Sequence, residues 1–180
     1  MICSEWWAFE ALTIMAGILG VAELASQTIC FQMMALLFMF PLGIQEGTCA
    51  IIGNCIGSNN VPLAKRFFNL ITKITVTLVF VIALALFLLR QAILDFYTED
   101  MAVQEICFSV FLVIAINFLF DGLQGYLQGP IRAMGLQQRA SYFAIAVYWL
   151  FGVPFAAFLS FGKDLGVLGL QLGFSIAVIA

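Results

Sequence analysis

Four polar side chains recur along an otherwise apolar stretch: Asn117, Asp121, Gln124 and Gln128. On a helix they stand at i, i+4, i+7 and i+11, which makes one continuous polar stripe. Phe118, Leu119, Phe120 and Leu123 cover much of the remaining surface. A carboxylic acid there can exchange a proton or attract a cation, and flanking amides suit a cavity that contains water. Gly122, Gly125 and Gly129 lie in the same segment and allow bending or close packing. The alternative is an interhelical hydrogen-bond network that only holds the bundle together. Two further acids, Glu5 and Glu10, fall in another apolar stretch. Their spacing turns them about 140° apart and separates them by roughly 7.5 Å along a helix axis. They cannot share one narrow face, though both could line an interior bordered by several helices. Glu5 lies nearer an edge, where simple solvation is the competing explanation. Trp6 and Trp7 are interfacial anchors or walls for a flat cationic ligand.

The elements that must carry these residues are apolar helices. Of 180 residues, 64% are hydrophobic and only 9% charged, against about 25% charged in soluble domains. Mean hydropathy is +1.11. So few charges cannot cover a water-facing surface, so the expected fold is all-α, a polytopic transmembrane bundle. Roughly 20 apolar residues span the hydrocarbon core, and six runs qualify or nearly do, near 2–19, 24–52, 67–89, 104–127, 141–161 and 165–180. The second run is overlong, so a bend at Pro41 or an extension beyond the membrane is expected. It also carries Gln27, Gln32, Gln45 and Glu46, and Glu46 reads as a solvated or packing residue. Glu23, Glu99, Asp100 and Glu105 read as wet charges at loops or helix ends.

Basic residues favour the cytoplasmic side. Lys65, Arg66, Lys73, Arg132 and Arg139 fall on one side, Arg90 and Lys163 on the other. The N-terminus is therefore expected in the cytoplasm. The five cysteines form no Cys-x-x-Cys pair and there is no histidine. This removes the usual zinc, haem and triad arrangements, so no metal or cofactor is expected and the cysteines read as small apolar fillers. A net charge of −3 with scattered basic residues does not fit a nucleic-acid partner. An enzyme is not expected either, because Glu10 and Asp121 lack a Gly-x-Gly-Asp-like setting. No secretory signal is visible. With neither a repeat nor a hydrophilic linker, residues 1–180 read as one membrane domain. Met1 falls almost directly into an apolar run and Ala180 stops inside one, so a chain truncated at both ends is expected.

Several short motifs, in order, carry a family resemblance. Glu5-Trp6-Trp7-Ala8-Phe9-Glu10 resembles the seventh helix of eukaryotic multidrug and toxic compound extrusion (MATE) transporters, as do Gly17-Ile18-Leu19-Gly20 and Ala25-Ser26-Gln27-Thr28-Ile29. Phe40-Pro41-Leu42-Gly43 and Ile52-Gly53-Asn54-Cys55-Ile56-Gly57 are similar to the family's Pro-x-Gly and Val-Gly-Asn-x-Leu-Gly elements, and Ala64-Lys65-Arg66 stands where an Ala followed by basic residues is usual. Phe120-Asp121-Gly122-Leu123-Gln124-Gly125 and Arg132-Ala133-Met134-Gly135-Leu136-Gln137 resemble the tenth helix and the loop after it, and Leu165-Gly166-Val167-Leu168-Gly169-Leu170 the start of the twelfth. The sequence departs from the pattern at Ile51, where an Arg often stands, and at Gln45 and Glu46, often small. Those departures bear on how the second helix packs.

The resemblance implies the C-terminal lobe, helices seven to twelve, of a two-lobed, twelve-helix antiporter. It implies export of organic cations and drug-like compounds, coupled to H⁺ in preference to Na⁺, from the plasma membrane or an organelle membrane such as the vacuole. The implied partners are the bilayer, the organic cation and a missing N-terminal lobe. Glu5, Glu10 and Asp121 would be the cation-linked acids, with Asn117 and Gln124 beside them. The competing expectation is an inactive half-transporter serving as a structural membrane subunit.

Overall fold

The computed structural model describes the backbone of residues 2–179 and the side chains of residues 6–178. Six helices follow one another: α1 (Ile2–Leu19), α2 (Val21–Gly57), α3 (Val61–Tyr97), α4 (Met101–Ala133), α5 (Gln137–Gly162) and α6 (Gly166–Ile179). No strand is present among the described residues. Four helices, α2 to α5, are long and apolar enough to cross a membrane; α1 and α6 are shorter apolar helices. The all-α bundle expected from composition is the fold observed.

Capping residues carry the helices beyond their apolar runs. α3 starts at Val61, not near 67, because the Asn60 side chain accepts a hydrogen bond from Leu63 N (3.2 Å) and Pro62 sits in the first turn, where its missing N–H costs nothing. Asp100 accepts likewise from Ala102 N (2.9 Å) to open α4. At 37 residues each, α2 and α3 are about 55 Å long and project past a ~30 Å hydrocarbon core. α2 is one continuous helix through Pro41, and its length gives the extension expected for that run.

Turns are short, so successive helices run antiparallel. Gly20 alone separates α1 from α2. After α4 the chain reverses at Gly135, whose φ of +72° is left-handed and suits glycine. Leu136 N closes that turn on Ile131 O (3.1 Å). α2 and α4 run parallel, so the Lys65/Arg66 and Arg132/Arg139 turns lie at one end of the bundle. Asp95 and Thr98 lie at the other, where Gln104 Nε2 donates to Asp95 Oδ1 (3.3 Å) and Thr98 O (2.7 Å).

Two contact surfaces built on small residues organise the interior. On α4, Gly122, Gly125 and Gly129 meet α2 so closely that added Cβ atoms would strike Val79 of α3 and Phe38 and Gln45 of α2. On α5 and α6, Gly152, Ala156 and Ser160 oppose Ala177, Gly173 and Gly169, with backbone against backbone. Lipid tails are as apolar as leucine, so close packing rather than the hydrophobic effect holds such helices together. Two apolar clusters result. One joins α2, α3 and α4 around Val79, Val110, Phe111 and Phe118; the other joins α1, α5 and α6 around Leu12, Tyr148, Leu170 and Phe174. The outer face of α3 (Phe80, Val81, Leu84, Leu88) is exposed, as expected for a lipid-facing helix. Arg90 lies over the rings of Phe87 (4.8 Å) and Phe108 (4.3 Å).

A Cβ at Gly173 would lie 2.3 Å from Ala156 Cα, whereas one at Gly43 meets nothing within 4 Å. Gly173→Val should therefore cost about 1–3 kcal/mol through overpacking. Gly43→Ala should cost nothing. Thermal unfolding of the detergent-purified protein compares them directly.

Candidate functional site

Three buried amides, Gln27, Asn117 and Gln171, lie at the seam between the two clusters. Asp121 and Asn117 on α4 line a hollow of about 10 Å³ with Cys30 of α2 and Phe9, Gln171 and Phe174 from the other cluster. Asp121 also lines a neighbouring hollow of about 30 Å³, walled by Trp6, Phe9, Phe31 and Phe38. Both are water-sized. The walls are mostly aromatic: Trp6 meets Phe31 edge-on (5.8 Å), and Phe9 contacts Phe31 (5.4 Å) and Phe174 (4.3 Å).

Asp121 makes no hydrogen bond or ion pair among the described residues. Asn117 is buried and its Oδ1 has no partner there. A buried acceptor without a donor costs about 1–3 kcal/mol unless water or a cation supplies one. The hollow is thus lined by two sets of oxygens that lack donors. Deeper in the seam, Gln171 Nε2 of α6 donates to Gln27 Oε1 of α2 (3.0 Å), both residues being buried, so an amide pair ties the two clusters together. Gln171 was not singled out from the sequence, although a lone Gln inside Leu168-Gly169-Leu170-Gln171-Leu172-Gly173 was a readable signal.

The expected stripe on α4 is present as a face but divided between two spaces. Asn117 and Asp121 face the hollow, whereas Gln124 and Gln128 line a wider groove of about 350 Å³ between α4 and α5. Gln124 Oε1 accepts from the Tyr148 hydroxyl (3.2 Å). Tyr148 belongs to a π-helical turn, Val147–Gly152, within α5. Pro154 follows that turn, and its missing N–H accounts for the loosened ladder. Glu10 is exposed rather than inside the hollow; among the described side chains of α1, Trp6 and Phe9 reach Asp121's surroundings. The backbone of Glu5 is helical, but its side chain lies outside the described residues. Trp6 is a wall of the site, while Trp7 is 69% exposed, the disposition of an anchor.

Glu46 is not merely solvated. Arg132 Nη1 donates to its Oε1 at 2.7 Å. With the Gln45 amide oriented to satisfy both neighbours, its nitrogen donates to Gly125 O (3.2 Å) and its oxygen accepts from Arg132 Nη2. Two of the three departures noted in the second helix, Gln45 and Glu46, thus share one arginine. Among the described residues no group of three metal-binding side chains comes together.

Lipid-clad helices enclosing an unpaired acid beside water-sized space define a polytopic membrane protein of transporter type. The MatE family model matches residues 1–158, and the chain belongs to that family of multidrug and toxin extrusion transporters. It is 28% identical to the rabbit (Oryctolagus cuniculus) multidrug and toxin extrusion protein 1 over 180 residues, covering 100% of this chain and 32% of that protein. The human (Homo sapiens) protein of the same name is also 28% identical, over 99% of this chain and 31% of its own length. Among solved structures, the eukaryotic MATE transporter AtDTX14 superposes with a TM-score of 0.95 at 26% identity, covering 99% of this chain and 40% of its own. The bent form of the Vibrio cholerae MATE transporter VcmN shares the fold, with a TM-score of 0.89 at 23% identity over 98% of this chain and 40% of its own. The chain spans about a third of the length of the curated relatives it matches.

Replacing Gln171 alone with Leu strands Gln27, whose Nε2 already lacks a partner, and should cost about 1–3 kcal/mol. Replacing both Gln27 and Gln171 with Leu should recover most of that loss. A double-mutant cycle on thermal melts measures the coupling.

Proposed function

We propose that the chain is the C-terminal lobe of a cation-coupled antiporter that expels organic cations, with Asp121 as the coupling acid. One observation carries this: Asp121 lies without a partner beside two water-sized hollows. A carboxylate so placed needs a proton or a cation to offset lost hydration. About 10–30 Å³ admits water or a proton carrier, far below the ~300 Å³ of ordinary small-molecule sites. The organic cation therefore binds against Asp121 only where a second lobe completes a larger cavity. Asn117 supports the acid through the shared hollow, and Gln124 acts from the groove side of α4. Glu10, exposed on α1, is assigned in this reading to the face of such a cavity on this lobe's surface.

H⁺ fits better than Na⁺. A proton needs one carboxylate, whereas a hard cation asks for several oxygens, and the hollow offers few. In the cycle, protonation of Asp121 removes the negative charge that holds a cationic substrate, which leaves; loss of the proton on the other side restores it. The membrane potential adds ~2.3 kcal/mol per charge per 100 mV to inward movement of a cation. The clustering of Lys65, Arg66, Arg132 and Arg139 at one end supports a cytoplasmic N-terminus.

In the complete protein, Asp121→Asn should reduce efflux of a fluorescent organic cation across a pH gradient to background. Glu46→Gln, which alters an exposed ion pair outside the hollow, should retain it. Wild-type efflux and pH dependence in Asp121→Asn would instead make the polar stripe mere helix glue. A cysteine introduced at Gln138, beside Arg139, should react with an impermeant thiol reagent only from the cytoplasm.

A further inference from the structure

Very little closes the site behind Asp121. The hollow that holds Asn117 and Asp121 and the groove between α4 and α5 share one lining residue, Val178 of α6. Beside it stand two stacked rings, 5.3 Å apart: Phe174 lines the hollow and Tyr148 lines the groove. The wall between the two spaces is therefore no thicker than one or two side chains. On the far side the groove takes about 350 Å³ and carries Gln124, Gln128 and the Tyr148 side chain on apolar walls. It runs along the last turns of α4 and the first turns of α5, toward the end that bears Arg132 and Arg139. Its volume holds a file of waters; the hollow holds about one. Asp121 and Cys30 are the ionisable groups lining the hollow, and Tyr148 is the one lining the groove. Tyr148 rides on the π turn, a local departure from α geometry of the kind frequent at functional sites.

We infer that Val178, with the Phe174–Tyr148 pair, gates a water route along which protons pass between Asp121 and the basic end of the lobe. This rests on Asp121 being the coupling acid. The amides of Gln124 and Gln128 hold waters in file, and displacement of Val178 joins that file to the water in the hollow. A hydronium arriving there gives one proton to an Asp121 carboxylate oxygen, forming a new O–H bond and leaving neutral water. Release is the same exchange in reverse.

The complete protein in liposomes provides the test, with uptake of a fluorescent organic cation driven by a pH gradient. Val178→Phe should slow that uptake about tenfold while leaving the substrate's Kd unchanged, as expected of a gate rather than a ligand contact. Gln124→Leu keeps the gate but removes a lining amide, and should slow uptake in the same direction. Cys30 reports from within the hollow. With Cys3, Cys49, Cys55 and Cys107 replaced by alanine, Val178→Ala should speed its reaction with a small cationic thiosulfonate about tenfold. Wild-type uptake in both Val178→Phe and Gln124→Leu, or an unchanged rate at Cys30 in Val178→Ala, would overturn the route. If Val178→Phe does not fold, the other two variants decide. Loss of function in Asp121→Asn alongside normal Val178 and Gln124 variants removes the route alone, whereas normal function in Asp121→Asn removes the coupling acid itself.

Discussion

Inside hydrocarbon, a polar atom must find its partner within the protein. Most of this bundle obeys that constraint locally. Thr13, Thr28, Thr48, Thr75 and Thr77 each turn their hydroxyl back to the carbonyl four residues earlier, which satisfies the hydroxyl without involving another helix. A few residues use longer reach: Tyr126 shares a hydrogen bond with Thr72 (2.5 Å), and Gln171 bridges to Gln27. Asp121 and Asn117 Oδ1 stand out against this background, because they sit where two helix clusters meet and nothing on either side completes them.

That seam exists because of how small residues are spent. Gly122, Gly125 and Gly129 draw α4 onto α2, and Gly169 and Gly173 draw α6 onto α5. Each pairing makes a tight unit. Asn117, Asp121, Gln27 and Gln171 lie at the boundary between them, where α1 and α6 cross α2 and α4 through aromatic rings, one amide pair and the apolar contacts of Val167 and Leu168. Rings and a single amide bridge interlock less closely than backbone laid on backbone.

Composition and hydropathy were enough to read the helix count, because a chain this poor in charge has few other folds open to it. Helix ends were misjudged wherever polar caps such as Asn60 and Asp100 extended a helix past its apolar run. The α4 stripe was legible as a face. Its division into hollow and groove was not, because periodicity places residues on one helix and says nothing of what crosses it; here α6 crosses, at Phe174 and Val178. Gln171 escaped notice for the converse reason: a lone amide has no periodicity to reveal it. Glu10 shows a third limit. Depth along α1 was readable, but which way the side chain faces depends on neighbours the spacing does not encode.

Arg132 holds Glu46 and the buried Gln45 together. A guanidinium with two dedicated acceptors is no longer independent of them. Losing either acceptor leaves the partly exposed guanidinium half-satisfied, so a change at any one of the three side chains is felt by the other two.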